Sequence, residues 1–526
     1  MLKNGRKRKW MIGIVLVGIF MLAGSLLLLH RQQDNRADND TNDTYEAVLA
    51  GDENKDVLVM EPDWESIDTA ILDSDDYADA EPLIETIQLN TRYLLNTWWT
   101  MERVAAYSTS NLNNLQELTE EQQEEVTKSR ESFISWRDTD YLYLVNAYSS
   151  DYTQNAIRPL SHACMTLAIA LRFHIYDEDV ANVSYEDALA MTVKLISSVA
   201  RMHGSNTENG WGWEWQSALW AEETGFAAWL LYSELDEEAQ GYVVNMLISE
   251  ADAVSVDYEA SYYMDVNGNV LYEGDTKAEE NAFESRILAL ASCMSPEHSH
   301  QEIWTEKLYE LLLASTARPS DVGSSEVVDG FVLGEVLNGS NINEDGTVIN
   351  HNKYHIDYMV SETEGMLETA IVFALAGKAV PESSIFNLDV IYDALVNLDI
   401  GKYDETKEGH HFYERDEEGN ASYLTNMPGE NDWGTYRVAN YLFADTAAAI
   451  FGLDSSCPEN LKGDDWASVR LRRAVEMVTR QTDGEITGQN YQDGEESFAS
   501  GEVFAMSLFA RSYLLRKLDA DGMLGL

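Results

Sequence analysis

The residues between Asn341 and Tyr358 form a dense group of hydrogen-bonding side chains, with two His, two Tyr, two Asp and four Asn in a run without helical or strand periodicity. Such density in a loop is more typical of a site than of a scaffold. His351 and Tyr358 are the candidate proton-transfer groups, because imidazole and phenol both exchange protons in catalysis. Asn350 and His355 are the candidate substrate contacts beside them.

A second region, residues 209–216, has three tryptophans that alternate with glycine or glutamate. Tryptophans two and four positions apart cannot share one helical face, so we predict an exposed loop. Flat aromatic rings beside polar groups suit a sugar, which offers both C–H patches and hydroxyls. A loop that plugs the end of the core is the alternative. The candidate sugar contacts are Asn209, Trp211, Trp213, Glu214 and Trp215.

Two further regions place polar side chains near predicted helix starts. Asn281 lies on a stripe of small or polar residues along the helix that we predict to begin near Ala278. Arg437 is a candidate clamp for a carboxylate, because its guanidinium can bind both oxygens. Trp433 is a candidate sugar contact, and Asp432 is equally interpretable as a helix cap.

Metal chemistry has little support in the sequence. Ligation by His351, His355 and Asp357 lacks the His-Glu-x-x-His helix or the cysteine partner that would favour it. The acidic turn that begins at Asp265 matches a calcium loop only at its first positions, because Val270 stands where that loop needs glycine. We therefore predict no metal site and no cofactor.

The stretch Asp345-Gly346-Thr347-Val348-Ile349-Asn350-His351 resembles the Asp-Gly-Ser-x-Ile-x-His stretch of the hyaluronate and chondroitin lyases. The tryptophan-rich run is similar to the Asn-Trp-Trp-x-x-Glu-Ile-Gly patch of the same family. The resemblance implies an (α/α) toroid that degrades a uronate-containing polysaccharide by β-elimination. It also implies that Asn281 is the catalytic asparagine.

β-Elimination requires that the carboxylate beside the C5 proton be neutralised as the enolate forms. Hydrogen bonds from Asn281 and Arg437 are expected to do this. An ordinary imidazole titrates near pH 6.5 and an ordinary phenol near pH 10. Either His351 is therefore the base, or a tyrosine is the base after a large depression of its pKa. Tyr358 is favoured over Tyr354 for that role.

Two other functions remain open at this stage. A polyuronate must approach a strongly acidic protein, which is unfavourable unless a few cations create a positive cleft; these are Lys277, Arg286, Lys353 and Arg437. An inverting glycoside hydrolase would instead use two carboxylates roughly 6.5–9.5 Å apart, drawn from Glu214, Glu279, Glu280, Asp357 and Asp432. A non-catalytic glycan-binding surface protein is the third possibility.

The charge of the chain excludes a nucleic-acid partner. The sequence holds 35 basic and 92 acidic residues, for a formal charge of −57. Outside residues 1–31, which contain six basic residues and no acidic one, 29 basic and 92 acidic residues leave −63. Such an acidic body disfavours binding to nucleic acids. The expected partners are a polysaccharide or cell-wall glycan and, through the N-terminus, the membrane.

Residues 10–29 contain no charged side chain and are long enough to span a bilayer as a helix. Five basic residues precede them, so we predict residues 1–9 to be cytoplasmic and the rest extracytoplasmic. A cleaved signal peptide is the alternative to this single-pass anchor in the cell membrane. Residues 30–79, rich in Asp and Asn, are predicted to be a flexible tether, and residues 80–526 the folded body.

The body is predicted to be all-α, an (α/α) toroid of about a dozen helices with short β-hairpins in its loops. Helix starts are indicated by Ser184-x-x-Asp187 and by Ser361-x-x-Glu364, each followed by an apolar stripe. Hairpins are predicted over residues 263–272 and 412–423, each with an Asn and Gly in its turn. The cysteines are expected to be core thiols.

Overall fold

The computed structural model describes residues 57–101, 118–145, 153–428, 437–480, 482–486 and 499–525. The protein is mostly helical, with 57% helix, 5% strand and short antiparallel hairpins, which confirms the predicted helical class. Residues 56–526 form one compact unit. Among the described residues, no helix combines the length and apolarity needed to cross a membrane. The predicted anchor, residues 10–29, lies outside them.

The described residues contain fifteen α-helices, and they are α1 Ala80–Leu95, α2 Glu120–Ile134, α3 Thr153–Arg172, α4 Glu178–Ala181, α5 Tyr185–Arg201, α6 Ser217–Leu230, α7 Glu237–Asp257, α8 Ala278–Met294, α9 Gln301–Ser315, α10 Leu333–Val336, α11 Ile356–Leu375, α12 Leu388–Asn397, α13 Val438–Phe451, α14 Gly463–Thr479 and α15 Ala499–Ala520. Short 3₁₀ helices join some of them, at Trp98–Thr100, Trp136–Asp138, Tyr232–Glu234, Glu382–Ile385, Ile400–Lys402 and Glu405–Lys407.

The strands are short and all pair in antiparallel fashion. They are β1 Met264–Asp265, β2 Val327–Val328, β3 Phe331–Val332, β4 Gly339–Ser340, β5 Ile349–Asn350, β6 Lys353–Tyr354, β7 Tyr413–Arg415 and β8 Ala421–Thr425. The hairpin β7–β8 confirms the prediction over residues 412–423. Around residues 263–272 the predicted turn is present, but β1 pairs with β4, with Met264 opposite Ser340.

One predicted helix start is confirmed and one is wrong. The Ser184 hydroxyl accepts a hydrogen bond from Asp187 N–H at 3.2 Å and caps α5. Helix α11 begins at Ile356, five residues before the predicted start at Ser361. The Ser361 hydroxyl donates instead to the Asp357 carbonyl, 2.8 Å away, inside the helix. Serine can form this local bond as well as a cap, so the capping pattern misleads here.

Six helices of the body are central, and they contact one another in a closed cycle. Helix α3 packs on α6, α6 on α8, α8 on α11, α11 on α13, α13 on α15, and α15 again on α3. Another six helices alternate with these along the chain, namely α1, α5, α7, α9, α12 and α14. Each of these six helices thus separates two consecutive central helices along the chain or precedes the first of them.

The central helices bury a cluster of charged residues, which we name the central charge cluster. Arg286 of α8 lies 2.5 Å from Glu222 and 3.5 Å from Glu223. Arg511 of α15 lies 2.9 Å from Glu364 and 3.1 Å from Glu368. These side chains are at most 2% exposed. The members of the cluster are His162, Glu222, Glu223, Arg286, Glu364, Glu368 and Arg511.

Four carboxyls face two guanidinium groups in this cluster, so ionisation of all four is unfavourable. Burial raises the pKa of Glu222 to about 8, which keeps it protonated near neutral pH. Although burial opposes it, hydrogen bonding and charge from His162, Arg286 and Arg511 lower the pKa of Glu223 to about 2. Burial lowers the pKa of His162, whose Nδ1 lies 2.5 Å from Glu223 Oε2.

Stability is expected to fall as the pH rises from about 5 to about 8. Burial also raises the pKa of Asp445 to about 7, whereas an unfolded chain releases carboxyl protons near pH 4. Over that window Glu222 and Asp445 therefore stay protonated in the folded state and are ionised in the unfolded state. For each carboxyl that stays protonated, the free energy of unfolding falls by about 1.4 kcal/mol per pH unit. Thermal melting temperatures measured at several pH values test this.

The variant Glu222→Gln is the control for that prediction. A glutamine amide does not titrate in this pH range, so the decrease in melting temperature with pH should become shallower. Repulsion among the other acidic residues of the protein stays unchanged. An equally steep decrease in the variant would contradict the role that we assign to Glu222.

Residues 57–79, which we predicted to belong to the tether, pack on the helical body. Met60 N–H donates to the Met294 carbonyl, and Trp229 Nε1–H donates to the Met60 carbonyl, both at 2.8 Å. Leu72 is buried and its N–H donates to the Tyr513 hydroxyl at 3.0 Å. Apolar side chains such as Leu72 gain from burial even within an acidic segment. The three cysteines are free and buried, as expected.

Candidate active site

His351 lies at the tip of a hairpin that the sequence did not predict. Strands β5 and β6 are joined by His351 and Asn352, which have φ angles of 50° and 60°. Two left-handed residues in succession are the geometry of a tight hairpin turn, and Asn tolerates it better than most residues. The Asn352 N–H donates to the Gly274 carbonyl at 3.0 Å, which ties the hairpin to the segment before α8.

Gly274 permits this close approach. Its φ angle is 70°, and a Cβ there would lie 2.1 Å from Asn352 Oδ1. Asn350 is buried and holds the same junction, because its Nδ2 donates to Asp275 at 3.1 Å and its Oδ1 accepts from His351 N–H at 2.7 Å. Asn350, a predicted substrate contact, therefore positions the His351 turn.

Tyr358, in the first turn of α11, faces His351. Its hydroxyl oxygen lies 3.3 Å from His351 Nε2. His355 is fully buried beside both, with its ring centroid 5.4 Å from that of His351 and 5.0 Å from that of Tyr358. The structure thus brings the two predicted proton-transfer groups together. His355, predicted to contact substrate, packs edge-on against both rings.

Two charged groups from neighbouring helices act on Tyr358. Burial and then the negative charge of Glu279 raise the pKa of the Tyr358 hydroxyl above its ordinary value, and the positive charge of Arg437 opposes them. Glu279 stands in the first turn of α8 and Arg437 directly precedes α13. The site is therefore built at the starts of three consecutive central helices.

Asp357 links the starts of α11 and α13. It accepts a hydrogen bond from the Tyr441 hydroxyl, and its Oδ2 lies 3.7 Å from His355 Nδ1. Asp357 is 1% exposed, so its role in the site is to hold neighbouring side chains in place. Among the described residues, no group of three or more His, Cys, Asp and Glu is arranged to hold a metal ion.

Asn281 lies near this site, but its amide is engaged elsewhere. Its Oδ1 accepts from the Tyr258 hydroxyl and from Ser261 N–H, each at 3.1 Å, and its Nδ2 donates to the Ser261 carbonyl at 2.8 Å. The side chain is fully buried. These bonds hold the segment after α7 against α8, so Asn281 has a positioning role in the structure.

The tryptophan-rich run forms an irregular loop before α6, as predicted, and its three rings have different environments. Trp211 is 1% exposed and its Nε1 donates to the Val199 carbonyl at 3.0 Å. Trp213 is half-buried and donates to Ser249 Oγ at 3.0 Å. Trp215 is 53% exposed. The plug interpretation therefore fits Trp211, and the exposed-platform interpretation fits Trp215.

A buried pair that the sequence analysis missed clamps this loop. Glu250 Oε1 accepts from Trp213 N–H at 2.8 Å and lies 2.9 Å from His203 Nε2. Gly212 has a φ angle of 132°, and a Cβ there would lie 2.2 Å from His203 Nε2. Trp213 itself has a positive φ of 54°. Strained backbone of this kind persists only when its surroundings hold it, and it is common at functional sites.

The remaining candidates have other partners or lie outside the described residues. Lys277 pairs with Asp275 at 2.8 Å and with Glu280 at 3.0 Å, and Arg286 belongs to the central charge cluster. Neither is thus available to create a positive cleft. Asn209 is exposed and Glu214 half-buried in the tryptophan loop. Trp433 and Asp432 are outside the described residues.

Comparison with known proteins gives no relative for this chain. No family model matches it, and neither the curated proteins nor the solved structures yield a match.

Proposed function

We propose that this protein is a membrane-anchored, extracytoplasmic polysaccharide lyase that cleaves a uronate-containing glycan by β-elimination. Residues 10–29 would hold it in the cell membrane. Its body would be an (α/α) toroid, a proposal supported by the closed cycle of six central helices and the six that alternate with them. The active site would lie where the central helices begin.

The observation that carries this proposal is the 3.3 Å contact between His351 Nε2 and the Tyr358 hydroxyl. A β-elimination needs one group to accept a proton and one to donate a proton, and these two side chains are within hydrogen-bond reach of each other. The raised pKa of Tyr358 keeps its hydroxyl protonated. Tyr358 is therefore the proton donor, and His351 is the base.

The reaction begins when His351 takes the C5 proton and the electron pair of that C–H bond forms the C4–C5 double bond. The C4–O4 bond breaks as Tyr358 gives its proton to the leaving oxygen. His351 is then protonated and Tyr358 is a phenolate. Transfer of the proton from His351 to Tyr358 across their 3.3 Å contact restores both groups for the next turnover.

Arg437 would bind the substrate carboxylate. Arg437 directly precedes α13, and its positive charge acts on the Tyr358 hydroxyl, the proposed proton donor. A guanidinium beside the carboxylate stabilises the charge that develops on the enolate. Trp215, exposed on the loop before α6, would stack on a neighbouring sugar.

The decisive experiment is to incubate the full-length protein in detergent with a panel of uronate polysaccharides and to record ultraviolet absorbance. Absorbance from a new C4–C5 double bond supports the lyase proposal. Release of reducing ends without that absorbance would indicate a hydrolase and contradict it. Silence over a broad glycan panel would favour a non-catalytic glycan-binding protein.

The clamped tryptophan loop gives a prediction about substrate affinity. The variant Gly212→Ala should raise KM about tenfold with little change in kcat, because its methyl group collides with His203 and displaces Trp213 and Trp215. Initial rates over a range of glycan concentrations measure this. Gly241→Ala, with no atom within 4 Å of the added methyl group, is the control and should keep the original KM. An unchanged KM in Gly212→Ala would argue against the sugar platform.

A further inference from the structure

Glu279 is a buried residue in the first turn of α8, one of the three helix starts that form the proposed active site. Helices α8 and α11 approach closely one turn further along, since a Cβ added at Gly365 would lie 2.7 Å from the Ala282 methyl group. Glu279 precedes Ala282 by one turn, and Glu362 precedes Gly365 by one turn. After burial, Glu279 has the largest effect on the Tyr358 pKa. Glu279 is thus the acidic group most strongly coupled to the proposed proton donor.

This carboxyl group has an unused oxygen. Glu279 is 7% exposed, and its Oε2 has no hydrogen-bond partner among the described residues. Lys277, the nearby cation on the same helix start, is engaged by Asp275 and Glu280. Both oxygens of Glu362 likewise lack a hydrogen-bond partner in the part of the chain that the structure describes. A buried charged carboxylate would not remain without a partner.

The surroundings keep Glu279 protonated. Burial, and then the negative charges of Glu280 and Glu362, raise its pKa well above the ordinary value, and Lys277 opposes them only in part. Burial raises the pKa of Glu362 as well. The titratable groups that face Glu279 are Lys277 and Glu280 from α8, Glu362 and Tyr358 from α11, and Tyr258 from the segment after α7.

We propose that Glu279, as a neutral carboxylic acid, donates the hydrogen bond that neutralises the substrate carboxylate during β-elimination. The resemblance to known lyases assigns this task to Asn281, but the amide of Asn281 binds Tyr258 and Ser261, with two hydrogen bonds accepted by Oδ1 and one donated by Nδ2. Glu279 stands two residues earlier on the same helix start. This inference rests on the proposed lyase function.

A neutral acid is suited to this task, whereas a carboxylate is not. A protonated Glu279 offers one O–H donor to the uronate, and that bond strengthens as negative charge grows on the enolate. The proton stays on Glu279, so no further acid or base is consumed. An ionised Glu279 would repel the substrate, so activity should decline at alkaline pH as Glu279 loses its proton.

The test compares Glu279→Gln with Glu279→Ala on a glycan that the unmodified protein cleaves. The glutamine amide is a permanent neutral donor, so Glu279→Gln should keep kcat within about tenfold and lose the alkaline decline, whereas Glu279→Ala should lose about 10²–10³-fold. Glu237→Gln, on an exposed residue in the first turn of α7, is the matched control and should keep the original pH profile. Loss of activity in Glu279→Gln equal to that in Glu279→Ala would overturn the proposal.

A second measurement does not depend on turnover. The infrared difference spectrum between the unmodified protein and Glu279→Gln should contain the carbonyl band of a protonated carboxylic acid at neutral pH. Absence of that band overturns the inference even if the lyase is active. Absence of any unsaturated product from the unmodified protein overturns the proposed function itself, and this is seen before the variants are compared.

Discussion

Tyr358→Phe is expected to lower kcat about 10³-fold or more while KM changes little. The variant keeps the ring that packs on His355 but loses the hydroxyl that lies 3.3 Å from His351. A positioned acid or base typically contributes 10²–10⁴-fold to a rate, and the leaving oxygen would otherwise depart unprotonated. Formation of the unsaturated product, followed by ultraviolet absorbance, measures the loss.

His351→Ala should abolish the activity in the same assay while the far-ultraviolet circular dichroism stays unchanged. The two side chains act as one unit, so the double variant should be no slower than either single variant. Tyr354→Phe is the control, because Tyr354 stacks on Tyr403 with ring centroids 3.7 Å apart and its hydroxyl has no role in the mechanism. Activity retained in His351→Ala or Tyr358→Phe would remove the catalytic assignment.

Arg511→Met is expected to destabilise the protein by about 3–5 kcal/mol or to prevent folding. Arg511 lies 2.9 Å from Glu364 and 3.1 Å from Glu368, and all three side chains are at most 2% exposed. Methionine has a similar length but no charge, so it leaves buried carboxyls facing each other without compensation. Chemical denaturation followed by circular dichroism gives the change in unfolding free energy.

Two controls separate this effect from the loss of any arginine. Arg137 is 61% exposed and pairs with Asp187, so Arg137→Met should change the unfolding free energy by about 1 kcal/mol or less. Adding Glu364→Gln to Arg511→Met should recover part of the lost stability, because it removes one uncompensated charge. Equal stability of Arg511→Met and Arg137→Met would contradict the importance of the central charge cluster.

The helical class was predictable because apolar stripes and caps such as Ser184 report on local structure. The irregular loop before α6 was predictable for the same reason, since the spacing of Trp211, Trp213 and Trp215 excludes a helix. Local patterns also predicted that His351 and Tyr358 are the proton-transfer groups, and the structure brings their side chains together.

Long-range features were not predictable from such patterns. Glu222 and Arg286 are ordinary helical residues in the sequence, and only the packing of α6 on α8 makes them partners. Glu250 is 37 residues from Trp213, so its role as a clamp has no local signal. The β5–β6 turn lacks glycine, which is why residues 351 and 352 gave no hairpin signal.

The cycle of central helices is closed by α15, the last helix along the described chain, which packs against α3. Until α15 has been synthesised, Arg511 is absent and only Arg286 opposes the carboxyls of α6 and α11. An incomplete chain that lacks α15 would therefore stay open and unstable. Native structure should form only after the whole body has been synthesised, so completion of the chain precedes its folding.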